Sequence, residues 1–326
     1  MIPVLKTIID FATKAASSHN TQPWKFTVEG HYIKLYPDFT RSLPVADADR
    51  HELYISIGCA LENLIIAATQ FGYKATVGYD LNGNDEHILI HLYEDETCTP
   101  SLLYDSILQR HVNRSVYTAD EIPDEVLLML FGITVEKNVE VSIITDQEKI
   151  KTLADFTGEA ALQQYSDPAF KQELLKWMRF NDRQAIQTKD GLRSASVGSP
   201  SVAPGVGKFM FEQFVSPRKE AIRAKRVLEK SPMVVLFSCS SNTKENWVKV
   251  GQSFERFALA ATAYGLAYAP MNMSCEVAGI RQRMKHFLHL REKEPLLLIR
   301  VGYAQKTMPP SYRRRVEEII CTETNT

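Results

Sequence analysis

Apolar residues Val4, Leu5, Ile8, Ile9, Phe11 and Ala12 recur at helical spacing, which predicts an amphipathic helix at the start of the chain. Phe26, Val28, Ile33 and Leu35 then alternate with polar residues, the pattern of two strands joined at Glu29-Gly30. Between them lies Ala16-Ser17-Ser18-His19-Asn20-Thr21-Gln22-Pro23-Trp24, a run of small and amide side chains at a helix-to-strand corner. Such a corner can turn backbone N–H groups and the edges of Asn20 and Gln22 toward a ligand. It can equally be a polar loop whose Trp24 anchors in the core.

Farther along, the hydrophobic pattern repeats. Gly58 to Gly72 and Gly251 to Gly265 share Gly, Glu, Ala-Ala-Thr and a closing Gly at one constant offset of 193 residues. Both segments are apolar around most of the helical circumference, so both predict buried helices, each ended by a glycine. A pair of strand-like segments follows each: Lys74–Tyr79 and Ile88–Tyr93 after the first, Ala267–Met271 and Leu296–Tyr303 after the second. The chain therefore divides into a first repeat over 1–100 and a second over 101–326. The second repeat carries extra material between its strands Val139–Ile144 and Met233–Phe237. Two helices are expected there, near 147–164 and 168–181. A segment with Gly191, Gly198, Pro200, Pro204, Gly205 and Gly207 then predicts an irregular loop. An insertion at about 165–226 reads either as a lid over a site or as a mobile surface excursion.

Composition narrows the function classes. Of 326 residues, 44% are hydrophobic and 24% charged, with a net charge of -1, so neither nucleic acid nor an anionic membrane is an expected partner. The longest apolar runs are too short to span a bilayer, and no basic segment precedes an apolar core at the N-terminus. Five scattered cysteines without a CxxC pair argue against a disulfide framework and structural zinc, and a reducing cytoplasm fits. No Gly-x-Gly-x-x-Gly, P-loop or Gly-x-Ser-x-Gly motif occurs, and the histidines lack metal-ligand spacing, so no metal site is expected.

Candidate chemistry gathers at three further places. Arg110 and Arg114, with His111 between them, follow a helix and would share a face if the helical turn continued. Paired guanidinium groups suit a phosphate, although carboxylate partners at a surface are the commoner use. Arg313-Arg314-Arg315 forms a second basic cluster, which reads as a phosphate contact or as a solvated face. At the corner Ala269-Pro270-Met271-Asn272-Met273, a proline that interrupts strand pairing would free backbone N–H donors for a ligand.

Together these motifs resemble the FMN-dependent nitroreductase family, in its double-length, Acg-like branch. The resemblance covers nearly the whole chain and is weakest from about Gln163 to Arg226. It implies an α+β nitroreductase-like fold, in which two fused repeats form an intramolecular pseudo-dimer of antiparallel-rich sheets flanked by helices. The family's basic phosphate motif falls on Arg110, His111 and Arg114, with Val112 in place of its serine. Its C-terminal basic pair falls on Arg313 and Arg314, with Arg315 replacing a proline. The flavin N5 corner falls on Met271, Asn272 and Met273, and the amide run on Ser17, Ser18, Asn20 and Gln22. Each repeat lacks what the other carries, which implies one FMN site per chain, between the repeats. The resemblance further implies FMN as cofactor, NAD(P)H as electron donor and a small-molecule acceptor such as a nitroaromatic or quinone, with no catalytic side chain required. The chain would act as a monomeric pseudo-dimer or as a homodimer. A low-turnover protein that sequesters FMN beneath the insertion is the alternative.

Overall fold

The computed structural model describes residues 2–321. Helix α1 (Pro3–Ala12) starts with proline, whose missing N–H costs nothing in a first helical turn, and buries Leu5, Ile8, Ile9 and Ala12. Strands β1 (Trp24–Glu29) and β2 (Tyr32–Pro37) pair antiparallel, with Phe26 opposite Leu35 and Val28 opposite Ile33. Gly30 makes the turn at φ 57°, in the left-handed region that glycine enters freely. Helix α2 (His51–Gln70) and strands β3 (Tyr73–Asp80) and β4 (His87–Glu94) complete a four-stranded antiparallel sheet of order β1-β2-β4-β3.

The remaining chain builds a second sheet with a matching path. After α3 (Ser106–Gln109) and α4 (Asp124–Phe131) come β5 (Val139–Ile144), α5 (Gln147–Ser166) and α6 (Pro168–Trp177). The short parallel strands β6 (Met178–Arg179) and β7 (Leu192–Arg193) flank α7 (Asp182–Thr188). Helices α8 (Pro204–Phe214) and α9 (Pro217–Glu229) precede β8 (Met233–Cys239), α10 (Lys244–Ala263) and β9 (Ala267–Pro270). Helices α11 (Met273–Glu276) and α12 (Ala278–Phe287) lead to β10 (Glu294–Gly302). The second sheet runs β5-β8-β10-β9, antiparallel throughout. In both sheets the long helix joins the second strand in the chain to the third, and equivalent strands occupy equivalent positions. The architecture is the expected α+β one.

The two sheets are covered differently. In the first, Ile33, Leu35, Ile88, Ile90 and Leu92 are buried on one face, and their sequence neighbours are partly or fully exposed. Every residue of β8 is buried. Val235, Phe237 and Ile299 face the main core around α10, while Val234, Leu236 and Leu298 pack with α5, α9 and α12 in a second core. Helix α2 is long and apolar enough to cross a membrane, but 89% of that stretch is buried within the fold.

Helices α2 and α10 touch backbone to backbone. A Cβ on Gly58 would stand 2.0 Å from the Val248 carbonyl oxygen, and one on Gly251 would stand 2.0 Å from that of Ile55. The two close approaches are reciprocal at the same offset of 193 residues that separates the Gly58–Gly72 and Gly251–Gly265 segments.

Two local expectations change. The Gly/Pro-dense segment is not irregular throughout, because α8 begins at Pro204 and includes Gly205 and Gly207. Pro204 stands in the first turn, and a Cβ on Gly207 would meet the Phe180 ring at 2.3 Å. The signals that suggested a loop therefore mark a helix start and a close ring contact. Helix α3 ends at Gln109, and Arg110 is already extended at φ -61°, ψ 122°. Arg110 and Arg114 do not share a helical face.

Gly58→Ala should place a methyl group against backbone that has no room to rotate away, and overpacking of this kind costs about 3 kcal/mol. Urea unfolding should show a similar loss for Gly251→Ala. A midpoint unchanged in both variants would contradict the described crossing.

Candidate functional site

The amide corner is conformationally tight. His19, Asn20 and Gln22 all have positive φ, at 50°, 55° and 52°. Non-glycine residues rarely adopt this region, so three within four positions mark a segment held by its surroundings. The Ser17 hydroxyl oxygen accepts from the Gln22 N–H at 3.0 Å, and Trp24 is fully buried below.

Asn20 and Gln22 use their amides to join distant segments. Asn20 Nδ2 donates to the carbonyl oxygens of Gly191 (3.2 Å) and Tyr312 (3.1 Å), and its Oδ1 accepts from Arg313 Nη1 at 2.9 Å. Gln22 Nε2 donates to the Lys189 carbonyl at 2.8 Å, and its Oε1 accepts from the Arg314 N–H at 2.7 Å. The corner thus clasps both the insertion and the C-terminal basic cluster. It joins Asn20 directly to Arg313, each using protein groups as partners.

Arg110 is likewise engaged. Its Nε lies 2.8 Å from Glu255 Oε1 with both side chains buried, and it also donates to the Tyr268 hydroxyl and, at 2.6 Å, to the Lys14 carbonyl. Burial works against the Arg110 charge, but Glu255 and Tyr268 together outweigh it and hold the pKa above the ordinary value. Arg313 is close behind. Burial, then repulsion from Arg110, pulls its pKa down to about 10. His111 turns aside, with Nδ1 2.9 Å from the Gln109 carbonyl.

Between the two halves lies a cavity of about 320 Å³, within the usual size of ligand sites. The first half contributes Ser17, Ser18 and His19 from the corner and Glu52 to Cys59 along α2. The second contributes Val112, Arg114, Met271, Asn272, Met273 and Arg300. Tyr165, Phe170, Leu174 and Leu192 of the insertion close one side. That insertion is fastened to the first half, since Glu173 accepts from the Val45 and Ala46 N–H groups at 3.0 and 2.8 Å.

Of the sequence candidates, Ser17, Ser18, Arg114, Met271, Asn272 and Met273 line this cavity; Asn20, Gln22, Arg110, His111, Arg313 and Arg314 stand outside its lining. The Pro270 corner differs in detail from expectation. Pro270 stays in register opposite Ile299, and the Met271 N–H donates to Leu298 at 2.8 Å, so strand pairing continues past the proline. The N–H groups of Asn272 and Met273 have no protein acceptor among the described residues.

Three guanidinium groups converge on the cavity. Arg114 has no carboxylate partner among the described residues; the charged groups that act on it most are Arg300, Tyr117, Tyr268 and Arg223. Burial, then repulsion from Arg300, lowers its pKa. Arg300 lies over the Tyr117 ring at 3.9 Å, donates to the Ser115 carbonyl, and leaves its buried Nε without a partner. Arg223, from the insertion, has Glu220 at 3.6 Å. Arg114 and Arg300 stand together without a carboxylate partner, and like charges so placed oppose folding and favour an anion.

The opposite wall is acidic. Glu52 accepts from Ser18 Oγ at 2.5 Å and from Asn272 Nδ2, and beside it on the cavity wall Glu276 accepts from Gln164 Nε2. Burial pushes the Glu276 carboxyl well above the usual range, and the adjacent Glu52 adds to the shift. Between the two walls stands His19, lowered to about 4 by burial and then by Arg114 against the opposing pull of Glu52, with its Nδ1 unpartnered. The nearby Asp47, Asp49 and His51 could hold a cation by distance, but they serve as an α2 cap: Asp47 accepts from the Glu52 and Leu53 N–H groups. Glu52, Arg223, Glu276 and Arg300 belong to no sequence motif. Only their burial and convergence single them out.

The chain is similar over nearly its whole length to proteins with nitroreductase names. It is 25% identical over 326 residues to the "Putative NAD(P)H nitroreductase acg" of Mycobacterium tuberculosis, covering 97% of this chain and 95% of that protein. It is 23% identical over 340 residues to the "Probable NAD(P)H nitroreductase PigM" of a Serratia strain, covering 98% and 93%. Among solved structures, the FMN-dependent nitroreductase NfnB of Mycobacterium smegmatis in complex with NADPH is 16% identical, with a TM-score of 0.41 over 67% of this chain and 96% of that one. No family model matches. The nitroreductase resemblance therefore extends along both halves and through the insertion.

Glu255→Leu should strand the Arg110 charge in the interior and cost about 3–5 kcal/mol, whereas Arg110→Met with Glu255→Leu should recover most of that loss. A double-mutant cycle in urea measures the difference; additive losses would show that the two groups do not depend on each other.

Proposed function

We propose that the chain binds FMN in the cavity between its halves and, with NAD(P)H as donor, reduces a small-molecule acceptor of the nitroaromatic or quinone kind. The observation that carries this reading is Arg114, without a carboxylate partner among the described residues and backed by Arg300 and Arg223, on a cavity that also offers free N–H donors at Asn272 and Met273. The full-length similarity to nitroreductase-named proteins supports it.

The lining fits such a group. An anionic tail finds the three guanidinium groups, a polar ring edge finds N–H and hydroxyl donors, and a flat ring system finds apolar walls at Ile55, Val112, Phe254 and Leu297. When bound, FMN supplies two-electron hydride chemistry, and the protein supplies position and electrostatics. Arg114 is the primary counter-charge, because Arg110 already has Glu255. Ser17 and Ser18 would bind polar atoms of the ring or ribityl chain, while Asn20 and Gln22 fix the corner that presents them. The aromatic and aliphatic side chains of the insertion would keep water from that face. One chain supplies both sides of the site, consistent with two fused repeats acting as a pseudo-dimer.

Titration of purified protein with FMN and with riboflavin tests the assignment. Arg114→Ala should weaken FMN roughly tenfold or more while affecting riboflavin less, as loss of a charge-assisted hydrogen bond predicts. Protein that is colourless and gains no flavin absorbance would refute the reading. Rapid bleaching on mixing with NADPH is the expected redox response; no bleaching would leave a flavin-sequestering protein.

A further inference from the structure

Reducing a quinone to a hydroquinone consumes one hydride equivalent and one proton. The cavity's cationic wall cannot supply that proton, because Arg114 and Arg300 are arginines, whose protons are held too firmly. His19 is neutral near pH 7 and has no proton to spare. The acidic wall differs. Glu52 and Glu276 come from separate elements, α2 and α11, and meet around Asn272: its Nδ2 donates to Glu52, its carbonyl accepts from the Glu276 N–H at 3.1 Å, and both carboxyl residues line the cavity side by side. Two buried carboxylates in contact cannot both remain ionised, so the arrangement requires a proton between them.

The surroundings determine which carboxyl carries it. Glu52 accepts from Ser18 and Asn272, and it faces His51, whose pKa is raised, against burial, by its Asp49 hydrogen bond and the surrounding carboxylates. These contacts favour an ionised Glu52. Glu276 receives only the Gln164 amide, and the negative field of Glu52 and Asp47 faces it, with Arg281 and Tyr165 farther round. The hydroxyl proton therefore resides on Glu276 and points at Glu52. Ser18, Asn272, Gln164 and both carboxyl residues line the cavity, as does His19 with its unpartnered Nδ1.

We propose that the Glu52–Glu276 pair holds a single proton on the cavity wall and delivers it to the oxygen of a quinone-type acceptor during reduction. The Glu276 O–H bond breaks and an O–H bond forms on one quinone oxygen. The hydride equivalent that originates in NAD(P)H supplies the electron pair and the second hydrogen. The carboxyl pair, left with two negative charges, regains its proton from solvent. This inference rests on the proposed oxidoreductase reading for its acceptor, but the shared proton is a property of the protein alone.

Two measurements separate the claims. The infrared difference spectrum between wild type and Glu276→Gln at pH 7 should show the loss of one neutral carboxylic acid's carbonyl stretch, over the contribution that Asp47, raised to about 7, makes in both proteins. The raised Glu276 pKa also fixes the sign of a stability effect: its contribution is complete below the ordinary value of 4.5 and is lost as pH rises through the folded-state value. Glu276→Gln keeps the neutral hydrogen bond and should lose less thermal stability than wild type between neutral and alkaline pH. With menadione as acceptor, Glu276→Gln should slow reoxidation of the reduced protein about 100-fold, and by far more than it slows bleaching by NADPH. Glu52→Gln should also abolish that infrared band, by giving the remaining carboxylate an amide donor. No such loss in Glu276→Gln, or unchanged reoxidation by menadione, would overturn the proposal. Failure to bind FMN with the band present would instead overturn the oxidoreductase reading and the band's catalytic use with it.

Discussion

The rest of the molecule depends on the crossing of α2 and α10 at Gly58 and Gly251. Glycine at both positions lets two long helices approach until backbone meets backbone. Any larger residue would separate the helices, and with them the two sheets. The separation matters because the cavity takes one wall from the Ser17 corner and α2 and the other from β9, α11 and β10. Paired charges lie on either side of the crossing. Glu62 meets Arg256 at 2.7 Å, and its repeat counterpart Glu255 meets Arg110 at 2.8 Å. Buried ion pairs contribute little net stability, but a slipped register would leave each of these charges alone, which penalises alternative packings.

The site that results has two signs. Arginines crowd one wall and carboxyls the other, with a neutral histidine between them. Neither cluster helps folding, since Arg114 is set beside Arg300, and Glu276 beside Glu52, within the fold. Such an arrangement sacrifices stability where a ligand can restore it.

Much of the architecture was legible because it obeys short-range rules. Alternation at Phe26, Val28, Ile33 and Leu35 marked β1 and β2, and the offset of 193 residues marked α2 and α10. Half of the candidate site could be read from motifs, since Ser17, Ser18, Arg114 and the Met271–Met273 corner line the cavity. What was hidden involves contacts across the fold. Whether Arg110 meets a ligand or Glu255 depends on how α10 docks, which no local pattern specifies. Glu276 and Arg300 are isolated residues in unremarkable stretches, and only tertiary packing gives them neighbours of like charge. Gly207 misled because a glycine required by the Phe180 ring looks, in sequence, like one required by a loop.

The segment around Ile320 adds to the outer edge of the first sheet. Phe26 donates to the Ile319 carbonyl and accepts from the Cys321 N–H, both at 2.8 Å. On the ribosome, β1 emerges long before the segment that covers it. Until that segment is made, the first half therefore presents an uncapped strand edge, the kind of surface that pairs with other chains. Closure of the first sheet is thus a long-range event: its β1 edge stays open until Ile319–Cys321 have been made and have folded back onto Phe26.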